Sequence, residues 1–161
     1  MGNINLPVKV LNVIEDLDVG GTEIALFRIT SSFDKNIISS IVCTFRDGPV
    51  SGYLRKANIP VHVIPKKRPW DLKLLMKLIT FVIKNEIQII HCRGGRPTVY
   101  GGAAAFFTRT PLVISVHGEK ALQYPREVQC LKFFVQNCKP CIIISVSNHL
   151  KSEIYRRTAL N

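Results

Sequence analysis

Residues Ile89 to Glu119 read IIHCRGGRPTVYGGAAAFFTRTPLVISVHGE. An apolar strand is expected over Ile87 to His91, and it runs into a loop with two glycines, Gly94 and Gly95. A helix follows from Pro97, a residue suited to a first helical turn, to Thr108. A second short apolar strand spans Leu112 to Val116 and ends in His117-Gly118-Glu119. Strand, helix and strand in this order form a unit whose two strands run parallel.

The same alternation extends in both directions. Strands are expected at Val8 to Ile14, Ile37 to Phe45, Pro60 to Ile64 and Cys141 to Val146. Helices are expected at Thr22 to Phe33, Pro49 to Ala57, Asp71 to Lys84, Arg126 to Asn137 and Ser147 to Arg157. The fold class is therefore α/β. The expected architecture is a Rossmann-like, doubly wound parallel sheet of about six strands with helices on both faces. Right-handed crossovers give the order 3-2-1-4-5-6. The run Ile142 to Ser145 suggests a strand buried on both sides. The helix Asp71 to Lys84 is expected to bury Leu72, Leu75, Ile79 and Val82. Packing on the sheet accounts for this amphipathicity, and the extra apolar residues Leu74, Leu78 and Phe81, next to Lys66-Lys67-Arg68 and Trp70, leave room for contact with a membrane interface.

In such a sheet, ligands bind beyond the carboxyl ends of the strands. The loops there carry the candidate residues. Gly20 and Gly21 open the first helix, where free N–H groups and a partial positive charge suit an anion. A tight turn would require the same glycines. Arg93 and Arg96 suit phosphate or carboxylate, or simply face solvent. His117 is suited to hydrogen bonding or proton transfer, or to a structural role. Asp16-Leu17-Asp18 can in principle share a cation, but its place in the first loop argues against a metal role. Cys138-Lys-Pro-Cys141 lacks further ligands nearby and precedes a strand, so the cysteines are expected to be structural.

The composition, 47% hydrophobic and 20% charged over 161 residues, is that of one globular domain. Disorder is excluded on that ground. A formal net charge of +11 favours anionic partners, among them phosphorylated small molecules and an anionic membrane surface. No nucleic-acid recognition motif is present, so nucleic acid is not an expected partner. Nothing reads as a secretory signal, and charged residues interrupt every long apolar run. The expected location is cytoplasmic, with peripheral association at the inner face of the plasma membrane.

Three segments together resemble family 4 of the retaining glycosyltransferases. They are VLNVIEDLDVGGTEIALFRI, with Gly20, Gly21 and Glu23, the stretch Ile89 to Glu119, and IIISVSNHLKSEI. The resemblance implies the acceptor-side, N-terminal domain of a two-domain GT-B enzyme, spanning residues 1–161. On that pattern the C-terminal, donor-binding domain is missing and would act in cis or in trans. The implied activity is transfer from a nucleotide-sugar to a glycan or lipid-linked acceptor of cell-surface polysaccharide or lipopolysaccharide type. The chain alone is expected to be inactive. Gly20 and Gly21 would face the donor diphosphate, and His117 the transferred sugar. Arg93, Arg96 and Glu119 are acceptor-side candidates without a family role. Neither metal nor cofactor is implied beyond the donor itself. The competing readings are a non-catalytic binding or membrane-recruitment module and one subunit of a split transferase.

Overall fold

A computed structural model describes residues 6–68 and 70–159. One sheet carries six parallel strands in the order β3-β2-β1-β4-β5-β6, the order expected from the alternation. The strands are β1 (Val8–Asp16), β2 (Ile38–Arg46), β3 (Val61–Val63), β4 (Ile89–Arg93), β5 (Leu112–Val116) and β6 (Cys141–Ser145). The helices are α1 (Gly21–Ser32), α2 (Val50–Lys56), α3 (Leu72–Lys84), α4 (Gly95–Thr108), α5 (Pro125–Asn137) and α6 (Asn148–Thr158). The order reverses between β1 and β4, which pair in register from Val10↔Ile89 to Ile14↔Arg93. At that switch point neighbouring crossovers leave in opposite directions, and a cleft opens between them.

Two apolar cores lie against opposite faces. One joins Leu11, Val13, Ile90, Cys92 and Ile114 to α3, α4 and α5. The other joins Ile14 and Val42 to Leu26 of α1 and Leu54 of α2. Packing is closest at α4. A Cβ on Gly101 would strike the Cys92 thiol, and one on Gly102 would lie within 2.9 Å of Cγ of Phe134.

Two sequence expectations need correction. β6 is not buried on both sides: Ile142 is 57% and Ile144 45% exposed. It is an edge strand, and right-handed crossovers carry α3, α4 and α5 to one face only, where Ile143 packs into the core. The buried face of α3 is Leu74, Leu78 and Val82, whereas Leu72 is exposed. Leu, Met, Ile, Phe and Val fill nine of the 13 positions of this helix, so two stripes fit helical spacing and only packing selects one. Leu74 and Leu78 are therefore core residues. The outward apolar residues here are Trp70, Leu72, Met76 and Ile83.

Local signals hold where they are chemical. Ser147 caps α6, its hydroxyl accepting from Leu150 N–H at 3.2 Å. The five cysteines are free thiols, and burial raises their pKa values, that of Cys43 to about 12. Such thiols stay protonated, as structural cysteines do. No helix among the described residues is long and apolar enough to cross a membrane.

Candidate functional site

The cleft at the switch point has a volume of about 470 Å³. Its floor is the carboxyl end of β4 and β5. Arg93, the last residue of β4, is only 4% exposed, yet its guanidinium has no ion-pair partner among the described residues. Its Nε lacks any hydrogen bond. Burial alone lowers its pKa, to about 10. A buried cation with no counter-charge is costly and normally signals a missing anion.

His117 follows β5 and lines the same cleft. Burial, then the nearby Arg93 charge, holds its pKa below the ordinary imidazole value. The ring is therefore neutral near pH 7, and its buried Nε2 has no partner. Behind it, His91 Nε2 lies 2.6 Å from Ser115 Oγ across the β4–β5 pair. Burial first, and then Arg93 and His117, lowers the His91 pKa to about 3. His91 is a neutral structural residue that tethers the two strands under the site.

The start of α4 opens into this cleft. Its N-cap, Gly94, has φ 98° and ψ −178°, a region essentially reserved for glycine. That conformation turns the chain from β4 into α4 within one residue and aims the helix N-terminus at the space beside Arg93. A helix N-terminus and a buried guanidinium together favour an anion.

The rim is acidic and partly paired. Arg96 makes a short ion pair with Glu15, and its Nε lies 3.9 Å from Glu127 Oε1. Glu127 was not evident from the sequence. It reaches over the start of α4 because residue 95 is glycine, where a Cβ would collide with the Glu127 carboxylate. Burial raises the Glu127 pKa, while Arg96 opposes the rise. A carboxyl group poised in this way beside a cleft is suited to proton transfer. No linear motif predicts it, since residues 95, 96 and 127 meet only through the packing of α4 on α5.

The other expected residues lie as follows. Gly20 is the N-cap of α1, in extended backbone, and a Cβ there would collide with the Glu23 carboxylate. A Cβ on Gly21 would meet nothing within 4 Å. Both flank the cleft without lining it, whereas Asp16, Thr22 and Glu23 do line it. Burial raises the Glu23 pKa, and Asp16 and Asp18 add to the rise. Asp16 and Asp18 share Arg46, whose Nη2 lies 3.1 and 2.7 Å from their carboxylates. Glu119 pairs with His149 at 2.9 Å on the exposed surface, outside the cleft. The fold thus brings Arg93, Arg96 and His117 together and leaves Gly20, Gly21 and Glu119 at or beyond the margin. Among the described residues no cluster of three or more His, Cys, Asp or Glu is placed to hold a metal ion.

The model for Glycosyltransferase Family 4 matches residues 19–159. No curated protein matches the chain in sequence. Among solved structures, Anabaena Alr3699/HepE in complex with UDP and glucose superposes with a TM-score of 0.76 at 20% identity. The match covers 93% of this chain and 41% of that one. A glycosyltransferase from Rickettsia africae gives 0.73 at 13% identity, covering 98% and 41%. MurG of Acinetobacter baumannii gives 0.63 at 15% identity, covering 86% and 41%. At these identities the likeness is one of fold. The chain spans about two-fifths of the length of these structures.

Proposed function

This chain belongs to glycosyltransferase family 4, and from that premise we propose that its cleft is one wall of a sugar-transfer site. The reaction is transfer from a nucleotide-sugar to a glycan or lipid-linked acceptor, with retention at the anomeric carbon. The observation that carries this reading is the pairing of two side chains with unpartnered buried nitrogens, Nε of buried Arg93 and Nε2 of half-buried His117, at one strand edge beside a helix N-terminus. An anionic diphosphate and a sugar hydroxyl are what those two groups lack.

The roles follow from the chemistry. Arg93 and the start of α4 supply the positive field toward which the leaving diphosphate develops charge. The Gly20-Gly21 turn closes on the same diphosphate from the α1 side. Its own carboxylate neighbours make Arg93 the stronger partner. Neutral His117 hydrogen-bonds a hydroxyl of the transferred sugar. Arg96 and Glu127 stand on the acceptor side, where Glu127 takes the proton of the attacking hydroxyl. Neither a metal nor a cofactor enters. A second Rossmann-like unit, in cis or in trans, holds the nucleotide. The solved Anabaena complex with UDP and glucose supports a nucleotide-sugar as donor.

The test is nucleoside diphosphate release from a panel of sugar nucleotides, using the chain alone and the chain supplied with a donor-binding Rossmann-like domain in cis or in trans. Release is expected when that domain is present. His117→Ala should cut it by roughly 10²–10³. No release from any donor, or full release by His117→Ala, would overturn the proposal. The anomeric configuration of the product, read by NMR, decides retention.

A further inference from the structure

A second groove, of about 820 Å³, adjoins the cleft and shares Arg96, Tyr124 and Glu127 with it. Its charge is lopsided. Lys66, Lys67, Arg68, Arg96 and Arg126 line it, against a single carboxylate, Glu127. That carboxylate is already committed to Arg96. The other four cations form no ion pair among the described residues; Lys66 acts on Glu127, and Arg68 on Asp71, only at longer range.

This basic segment is held in place. Asp71 Oδ2 accepts from Lys67 N–H at 2.9 Å, and Oδ1 from Leu74 N–H at 3.0 Å. The Asp71 N–H in turn donates to Tyr100 Oη at 3.0 Å. Asp71 is buried, so the chain carrying Lys66, Lys67 and Arg68 is pinned to the start of α3 and to α4. Beyond Trp70 the groove continues into a trough of about 840 Å³ along α3, lined by Leu72, Met76, Lys73 and Lys77 among others. Trp70, Leu72 and Met76 are 63%, 71% and 55% exposed. Their apolar surface begins where the cationic wall ends.

We propose that this groove binds the acceptor, and that the acceptor carries a phosphate or diphosphate on a long apolar chain. The phosphate sits among Lys66, Lys67, Arg68 and Arg126. The apolar chain leaves over Trp70, Leu72 and Met76 into the membrane from which it comes. The end to be glycosylated points past Arg96 and Glu127 into the cleft. This rests on the sugar-transfer reading for the direction of the acceptor, but not for its chemistry. Charge complementarity selects the phosphate, and the adjoining apolar strip selects a lipid over a soluble phosphate.

The test is co-sedimentation of the full chain with vesicles at about 0.15 M salt, where the Debye length is about 8 Å. Neutral phosphatidylcholine vesicles would be compared with vesicles carrying polyprenyl phosphate and with others carrying phosphatidylglycerol at equal charge. Inorganic diphosphate serves as the soluble arm. Binding is expected to favour polyprenyl phosphate. Combined Lys66→Gln, Lys67→Gln and Arg126→Gln should weaken it by roughly a hundredfold. Trp70→Ala with Met76→Ala should weaken vesicle binding but not diphosphate binding. These positions are exposed or partly so, and unchanged melting temperatures certify the fold. Equal binding to phosphatidylglycerol, preference for the soluble diphosphate, or no binding would each overturn the proposal. Donor binding measured in parallel separates the two readings: lipid binding without donor binding defeats only the sugar-transfer reading, and the reverse defeats only this one.

Discussion

Arg93→Met should make the empty domain more stable while weakening its hold on an anionic ligand. Burial moves the Arg93 pKa from 12.5 to about 10, which corresponds to about 3 kcal/mol of destabilisation of the charged form. The sign is fixed over the working range, because the guanidinium stays charged below pH 10 and bears the cost throughout. Methionine fills similar space without charge, and imperfect repacking returns about 1 kcal/mol. The net gain is about 2 kcal/mol, or roughly 4–8 °C in Tm for a domain of this size. The ligand effect runs the other way. A saturating diphosphate ligand at about a hundred times its Kd stabilises the native chain by about 2.7 kcal/mol. Loss of a charged hydrogen bond, about 1.5–3 kcal/mol, would remove most of that increment at the same concentration. Thermal melts with and without a nucleoside diphosphate-sugar measure both numbers. A variant that melts at or below the native chain, with its ligand shift undiminished, refutes the idea that Arg93 awaits an anion.

Other consequences are equally specific. Gly21→Val should fold normally, since a Cβ there meets nothing within 4 Å, yet reduce donor use in the release assay if the turn faces the diphosphate. Gly94→Ala should lower stability by about 1–3 kcal/mol in urea unfolding, because its backbone conformation is closed to side chains. Gly102→Val should also destabilise, by about 1–3 kcal/mol, through collision with the Phe134 ring. Acid should weaken the fold through His91: its folded pKa of about 3 lies below the unfolded 6.5, so the stabilising contribution is complete above pH 6.5 and is lost as pH falls toward 3. About 2 kcal/mol should disappear between pH 7 and pH 5, and His91→Gln should flatten that slope.

The sheet order was legible because each strand and helix carries its own period and the crossover rule does the rest. What the sequence could not convey depends on neighbours. The burial of Arg93 looks no different in sequence from the exposure of Arg96, although one ends β4 inside the cleft and the other stands on its rim. Glu127 lies 31 residues from Arg96 and meets it only across α4 and α5. The phase of α3 was ambiguous for the same reason, since Leu72 and Leu74 are equally apolar and only the sheet chooses Leu74. Nothing in the run Lys66-Lys67-Arg68 itself signals that Asp71 anchors it beside Trp70, because the bond from Lys67 N–H to Asp71 depends on how the chain enters α3.

The central claim is that the Arg93–His117 cleft faces a nucleotide-sugar. An amide-resolved NMR titration of the chain with nucleoside diphosphate-sugars tests it most directly. Shifts concentrated at Arg93, Gly94, Gly95 and His117, abolished by Arg93→Met, are the predicted result. Saturating shifts confined to another surface, or none with any donor, would contradict it.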